Sequence, residues 1–160
     1  MNNNISLRKI AIKDIFILYN IFSDPGVSKH QSKKPMKNIS EAIKYYCKNR
    51  NNIVSIILKQ NKTIGFIEIL STIEDEINCN FIIQKSYRNK KYMTYAINIF
   101  LSRYLGYGIK RVIVFVHPQN IAAIHVLKNN GFAESKYVKN MISNLYTGKK
   151  EDRIVYTITL

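Results

Sequence analysis

The sequence predicts a mixed α/β fold in which helices cover a β-sheet, and three observations lead to this expectation. Short segments rich in Ile and Val alternate with segments whose apolar residues recur at helical spacing. Taken in order, these segments read β-α-α-β-β-β-α-β-α-β-β, an order typical of a sheet with helices packed on it. No internal repeat or low-complexity linker interrupts the 160 residues. We therefore expect a single domain over residues 1–160.

The first half of the chain is predicted from local patterns. Its expected elements are a strand at 5–10, a helix at 15–22 that Asp14 could cap, a turn at 24–26, a polar loop at 27–38, a second helix from Ser40, and a hairpin of strands at 53–59 and 63–71. Gly65 inside the second hairpin strand indicates a bulge or close packing. Glu68, further along it, is interpreted as an outward-facing polar residue rather than a catalytic base.

The second half begins with an acidic turn at residues 74–76. It is then predicted to contain a strand at 77–83, a basic stretch at 84–91, an amphipathic helix from Met93 to Tyr104, an apolar strand at 111–116, a helix at 121–129, a strand from Phe132, and a final strand at 153–160. Asn120 is placed to cap the helix at 121–129, and Gly131 to end it.

Charge and cysteine content restrict the classes of function. The chain has 25 Lys and Arg residues against 10 Asp and Glu, for a net charge of +15. This charge indicates either an anionic partner or a general compositional drift, since the basic residues are scattered and form no long run. The two cysteines form no CxxC motif, so no metal site is expected. No signal pattern and no apolar stretch of membrane-spanning length is present, and we expect a cytoplasmic protein with no membrane partner.

Two segments could carry chemistry. The strand, basic loop and helix at 78–100 form a general anion-binding arrangement, because the first N–H groups of a helix are unpaired and its dipole favours negative charge there. Arg88, Lys90 and Lys91 would add charge, although a solvated basic loop would look the same. His117 follows an expected central strand, where ligand sites of α/β sheets gather, but a lone histidine there is also compatible with a structural role.

The order and spacing of three motifs resemble those of the GNAT acetyltransferases, in particular the Rim-type branch that includes ribosomal-protein N-terminal acetyltransferases. The motifs are Thr63-Ile64-Gly65-Phe66-Ile67, then Tyr87-Arg88-Asn89-Lys90-Lys91-Tyr92-Met93-Thr94-Tyr95-Ala96, and finally the segment from Val116-His117-Pro118-Gln119-Asn120 to Asn130-Gly131-Phe132. The resemblance implies a mostly antiparallel sheet of about seven strands with one splayed parallel pair, covered by about four helices.

The resemblance also implies that the chain binds acetyl-CoA as acyl donor. The pantetheine arm would lie along the backbone of Phe81, Ile82 and Ile83, and the pyrophosphate would be held by the loop and first helical turn. The implied cofactor-binding residues beyond these three are Arg88, Asn89, Lys90, Lys91, Tyr92, Met93, Thr94, Asn120, Ala122, Ala123 and Lys128.

The phosphate loop departs from the family pattern at its glycines. Lys91 occupies the first glycine position, Met93 the second, and Asn89 replaces another common glycine. Glycine allows close approach of the backbone to phosphate. Lys91 either compensates with its own charge or blocks the site. Asn89 is the milder change because Asn tolerates a left-handed backbone.

Three residues are candidates for proton handling. The family's glutamate on the strand before the splay corresponds to Asn78, which cannot accept a proton, and Glu76 lies two residues earlier on the same face. His117 is the third candidate. Leu127 occupies the position of the tyrosine acid found in many members of the family, a residue that the Rim-type branch commonly lacks.

The resemblance therefore predicts an N-acyltransferase that moves an acetyl group from acetyl-CoA to a primary amine of a small molecule or a protein N-terminus. Two alternatives remain open: a catalytically degenerate relative that binds a ligand or partner, and a basic nucleic-acid-associated domain, which ranks last. Residues 19–40 and 137–156 would shape the acceptor pocket. The protein is expected to be a monomer or a homodimer, with an acyl-CoA and an amine as its partners.

Overall fold

The computed structural model describes residues 5–58 and 61–160, which form a seven-stranded sheet covered by helices. The strand order is β1-β2-β3-β4-β5-β7-β6. The strands are β1 (Ile5–Lys9), β2 (Ile53–Leu58), β3 (Lys62–Ile73), β4 (Glu76–Ile83), β5 (Arg111–Val116), β6 (Ala133–Ser143) and β7 (Lys150–Thr159). The helices are α1 (Ile15–Phe22), α2 (Pro25–His30), α3 (Ile39–Asn49), α4 (Tyr92–Leu105) and α5 (Ile121–Asn129). The predicted mixed fold is confirmed.

Helix α2 lies where the sequence predicted a turn and a loop, so that prediction was wrong. Asp24 accepts a hydrogen bond from the Gly26 N–H, and Pro25 occupies the first helical position, where its missing N–H is not needed. The same residues that favour a turn thus start a short helix. The described residues contain five α-helices rather than about four, and none of these helices is long and apolar enough to cross a membrane.

Helices cover both faces of the sheet. On one face, α4 and α5 contribute Met93, Phe100 and Leu127 to a core that includes Ile77 and Val112. On the other face, α1, α2 and α3 pack a second core whose members include Leu18, Phe22, Val27, Tyr46, Ile53, Phe66 and Ile82. The central strands are therefore buried on both sides, which explains their long apolar runs.

Strands β4 and β5 run parallel and pair over only a short length. Its register contains three residue pairs, Glu76 with Arg111, Ile77 with Val112 and Asn78 with Ile113. Beyond Asn78, β4 continues to Ile83 paired with β3, while β5 continues to Val116 paired with β7. The sheet thus opens between β4 and β5, as the resemblance implied.

Gly65 lies where the backbones of β3 and β4 leave no room for a side chain. A Cβ at this position would lie 2.4 Å from the Ile82 carbonyl oxygen and 3.1 Å from the Ile83 Cα. The pairing of β2 with β3 also shifts register between Ile56 and Ile57, opposite this segment. Both predicted features of Gly65, a bulge and close packing, are therefore present.

Replacing Gly65 with Ala should destabilise the fold by about 1–3 kcal/mol, because the new methyl group must push the β4 backbone away. Chemical denaturation would measure the loss. Gly106→Ala is the matched control, since a Cβ there meets the Arg103 carbonyl oxygen only at 3.4 Å. Equal stability of the two variants would contradict the close contact.

Asp14 ties the first strand to the hairpin. Its buried carboxylate accepts hydrogen bonds from Arg8 (2.5 and 2.8 Å), Thr63 (2.6 Å), Ser55 (3.1 Å) and the Ala11 N–H (2.8 Å). Burial acts to raise the pKa of Asp14, but the hydrogen bonds from Arg8, Thr63 and Ala11 outweigh it and lower the pKa to about 2. The side chain does not cap α1, contrary to the prediction.

Asp14→Asn should therefore lower the free energy of unfolding at pH 7 by about 2 kcal/mol, since the lowered pKa is a stabilisation of the charged form. For a lowered pKa this contribution is present above about pH 4 and is lost as pH falls toward 2. Denaturation curves at several pH values would show a flatter acid dependence in the variant. Asp75→Asn, at an exposed pair with Lys110, should change stability far less. An identical acid dependence in wild type and Asp14→Asn would contradict the role of the buried carboxylate.

Candidate functional site

The opening between β4 and β5 is the first element of the site. From Cys79 to Ile83, the β4 backbone groups that face β5 have no partner in the described sheet, because the parallel pairing ends at Asn78. Phe81 and Ile83 are half-buried here, and Ile82 is buried in the second core. The three residues expected to border the pantetheine arm therefore lie on this free strand edge.

The second element is the N-terminus of α4. Asp24, Asn38 and Asn120 cap α2, α3 and α5 with side-chain oxygens, whereas no side chain caps α4. The backbone N–H groups of its first turn are thus available to an anion, and the helix dipole favours negative charge there. This turn begins at Tyr92, a few residues after β4 ends.

The loop before α4 has a left-handed backbone at two non-glycine residues. Asn89 has φ 60° and Lys91 has φ 59°. Lys91 therefore adopts a conformation that favours glycine, at a cost of about 1 kcal/mol. The loop thus adopts a left-handed backbone at Lys91 although no glycine is present there.

Met93, the other departure from the glycine pattern, has a different explanation. Its side chain is buried and belongs to the core beneath α4. The preceding loop, by contrast, is exposed at Arg88, Asn89, Lys90 and Lys91. Methionine at this position therefore fills the core and leaves the first-turn N–H groups uncovered.

Basic and aromatic groups surround this loop. The Nζ atoms of Lys62 and Lys90 lie 5.5 and 5.7 Å from the Tyr87 ring centre. The Arg88 guanidinium is 3.9 Å from the Asp24 carboxylate. A cleft of about 430 Å³ opens here between α1, α2 and the loop, bordered by Ile83 and Arg88.

The start of α5 lies at the same edge of the sheet, because β4 and β5 run parallel. The Asn120 Oδ1 accepts a hydrogen bond from the Ala123 N–H at 3.3 Å, so its predicted capping role is confirmed. Ala122 and Lys128 are exposed and Ala123 is half-buried. Their expected contacts with the cofactor stay predictions.

The catalytic candidates occupy different positions along the opening. The Glu76 carboxylate accepts a hydrogen bond from Arg111, its cross-strand partner at the closed end of the β4–β5 pair. Asn78 lies at the vertex, and its side-chain oxygen is buried without a hydrogen-bond partner. His117 follows β5 at the open end. The ion pair at Glu76 disfavours a catalytic role for that residue, which stays a prediction, as do the roles of the other two.

His117 belongs to a group of titratable residues. Its Nδ1 accepts a hydrogen bond from the Gln119 N–H at 3.2 Å, and its Nε2 lies 3.9 Å from the Glu151 carboxylate. The ring centre of His30 is 5.8 Å from that of His117. Burial lowers the pKa of both histidines. Both rings are therefore neutral at pH 7.

Glu151 lies in a network on β7 that sequence reasoning missed. It accepts hydrogen bonds from Asn144 (2.7 Å), Ser32 (3.2 Å) and Arg153 (3.2 Å). Burial alone would raise the pKa of Glu151, but these hydrogen bonds outweigh it and lower the pKa. Glu151 is therefore an anion beside His117. Alternation along the final strand could have indicated an inward position for Arg153, which is 2% exposed.

Residues 31–33, which we call the strap, connect the two halves of the opened sheet. On the β3–β4 side, Gln31 accepts a hydrogen bond from Asn80 and Lys33 pairs with Glu68. On the β7 side, Ser32 accepts a hydrogen bond from Arg153, and its carbonyl accepts one from the Leu145 N–H. The two segments expected to shape an acceptor pocket, 19–40 and 137–156, thus meet across the opening.

Glu68 corrects a sequence-based interpretation. It is 5% exposed and accepts hydrogen bonds from Tyr45 and Lys33, so it does not face outward. Strand β3 is covered on both faces, and a polar residue there must find buried partners.

Among the described residues, no group of three or more His, Cys, Asp and Glu side chains is arranged to hold a metal ion.

Comparisons with solved structures show the same fold in three acetyltransferases. A GNAT-family acetyltransferase from Bacillus anthracis has 20% identity and a TM-score of 0.89, with 98% of this chain and 95% of that one covered. Spermidine N-acetyltransferase from Vibrio cholerae, in complex with CoA and spermine, has 19% identity, a TM-score of 0.86 and coverage of 99% and 96%. The microcin C7 self-immunity acetyltransferase MccE, in complex with acetyl-CoA and AMP, has 18% identity, a TM-score of 0.84 and coverage of 99% and 94%.

At these identities the structural matches establish the fold alone. No curated protein sequence matches the chain significantly. The sequence model of the acetyltransferase (GNAT) domain matches residues 4–133, which is most of the chain and includes the β4–β5 opening and the loop before α4. The chain therefore belongs to the GNAT family of acetyltransferases.

Proposed function

We propose that the protein transfers an acetyl group from acetyl-CoA to a primary amine by direct attack. The observation that carries the proposal is the uncapped N-terminus of α4 beside the free edge of β4. The pyrophosphate would accept hydrogen bonds from the N–H groups of the first helical turn, with Lys90 and Lys91 adding charge. The pantetheine amides would pair with the free backbone groups from Phe81 to Ile83.

In the reaction, a neutral amine attacks the thioester carbonyl carbon. The C–N bond forms, the tetrahedral intermediate collapses, and the C–S electrons leave with sulfur. The ammonium form of the acceptor must lose a proton first, so the site needs a base within hydrogen-bond reach. No acyl-enzyme forms, and no nucleophilic side chain is required.

The charges at the opening bear on the class of amine. The spermidine enzyme among the structural matches acts on a polyamine. Here the carboxylates of Asp24, Glu68 and Glu151 each already pair with a cation, Arg88, Lys33 and Arg153 respectively. They leave little negative charge for a polycation, so we favour a monoamine, with a protein N-terminus, the acceptor of the Rim-type branch, among the candidates. We further infer that residues 1–160 act as one cytoplasmic domain, as a monomer or homodimer.

A catalytically degenerate relative is the second candidate. The observation that favours it is Asn78 at the vertex of the opening, because an amide cannot accept the amine proton. Such a protein would bind acetyl-CoA without transferring its acetyl group. Release of CoA thiol in the presence of peptides, amino sugars and polyamines distinguishes the two candidates.

Variants of Lys91 test the phosphate loop. Lys91→Gly should bind acetyl-CoA within severalfold of wild type, because glycine adopts the observed left-handed backbone without strain. Lys91→Glu should bind about tenfold more weakly, because it places a negative charge beside the pyrophosphate. Calorimetric titration measures both affinities.

Lys136→Glu on β6 is the control, since it makes the same charge change at an exposed position remote from the loop. Much tighter binding by Lys91→Gly would show instead that the lysine blocks the site. If neither wild type nor Lys91→Gly binds acetyl-CoA, the proposed function fails.

A further inference from the structure

His30 is the last residue of α2, the helix that the sequence did not predict. Its ring lies beside His117 across the opening, with ring centres 5.8 Å apart and planes inclined by 59°. The next residue, Gln31, accepts a hydrogen bond from Asn80 of β4. Two neutral imidazoles from different parts of the chain therefore lie side by side at the opening. Their hydrogen bonds differ.

The hydrogen bonds of His117 determine where its proton sits. A backbone N–H can only donate, so the Nδ1 that faces the Gln119 N–H must be the acceptor. The proton of the neutral ring is then on Nε2, the nitrogen that faces the Glu151 carboxylate. His117 has no free lone pair in this state. It would have to break its bond to Gln119 to accept a proton.

His30 has no comparable hydrogen bond at its Nδ1, which is buried without a hydrogen-bond partner. Since Nδ1 is shielded from solvent, Nε2 is the nitrogen left for a substrate. A neutral ring with its proton on Nδ1 presents a free lone pair at Nε2.

Burial and most of the charged groups around His30 favour its neutral form. Burial lowers its pKa most, and His117, Lys29 and Arg88 lower it further, while Glu151 raises it. These groups belong to α2 itself, the segment after β5, the loop after β4, and β7. The imidazole is therefore in its basic form at pH 7, as a proton acceptor must be.

We propose that His30 is the catalytic base of this enzyme and that His117, held by Gln119 and Glu151, is a positioning residue beside it. This step rests on the proposed function. The His30 Nε2 lone pair takes a proton from the acceptor ammonium, giving an imidazolium and a neutral amine. The amine nitrogen attacks the thioester carbon. As the C–S bond breaks, the nitrogen loses its second proton to the sulfur, giving the amide and free CoA thiol. The imidazolium then returns its proton to water.

The test compares His30→Gln with wild type in a thiol-release assay across pH. We expect kcat/KM to fall about 10²- to 10⁴-fold, the range of a lost general base. Wild type should show an inflection below pH 6.5, the ordinary histidine pKa, and the variant should lack it. His30→Ala should be partly rescued by imidazole in solution, which a structural role would not produce. Acetyl-CoA affinity and thermal stability should stay near wild type in both variants.

His125→Gln is the matched control, because His125 is an exposed residue of α5 and should leave rate and pH profile unchanged. His117→Gln should lower the rate while keeping the acid inflection. If wild type is active and His30→Gln keeps both rate and inflection, or if only His117→Gln loses the inflection, the assignment to His30 is wrong while the proposed function stands. If wild type releases no thiol with any amine, the proposed function fails and this step fails with it.

Discussion

The rest of the structure depends on the early end of the β4–β5 pairing. Three residue pairs hold the two strands together, and beyond Asn78 each half of the sheet must be stabilised by something else. On one face this is the core under α4 and α5, which contacts both halves through Ile77 and Val112. On the other face it is the strap, whose three residues bond to β3, β4 and β7. Both faces of the opening are therefore bridged.

The same opening explains the group formed by His30, His117 and Glu151. Groups that line a gap between strands are shielded by the sheet and by α2, so burial acts on their pKa values. Glu151 stays charged because hydrogen bonds from three donors lower its pKa, whereas the two histidines are neutral because burial lowers their pKa values. In this group Glu151 carries the negative charge, and the neutral histidines are the residues that could accept a proton. Most lysines of the described chain are exposed.

What the sequence could predict was local. The repeat in α4, the Asn120 cap and the strand glycine at Gly65 each depend on neighbours within a few residues, and all three are present. Helix α2 was missed because Asp24 and Pro25 begin both turns and helices. The inward position of Glu68 depends on β3 being covered on both faces, which no local pattern reveals. His30 is more than 80 residues away in sequence from both His117 and Glu151. Only the fold brings these three residues together.

The loop before α4 bears on whether the protein is an active enzyme or a catalytically degenerate relative. Two residues other than glycine hold a left-handed backbone there, and at Lys91 this conformation costs about 1 kcal/mol that a relaxed loop would avoid. The strain has no compensation from a side-chain cap, because α4 has none. A chain that had lost its ligand could relieve the strain by one substitution or by one local shift of the backbone. The loop holds a left-handed backbone at Asn89 and Lys91 without glycine at either position. That combination favours a loop still used for binding, with Lys91 adding charge where glycine would add none.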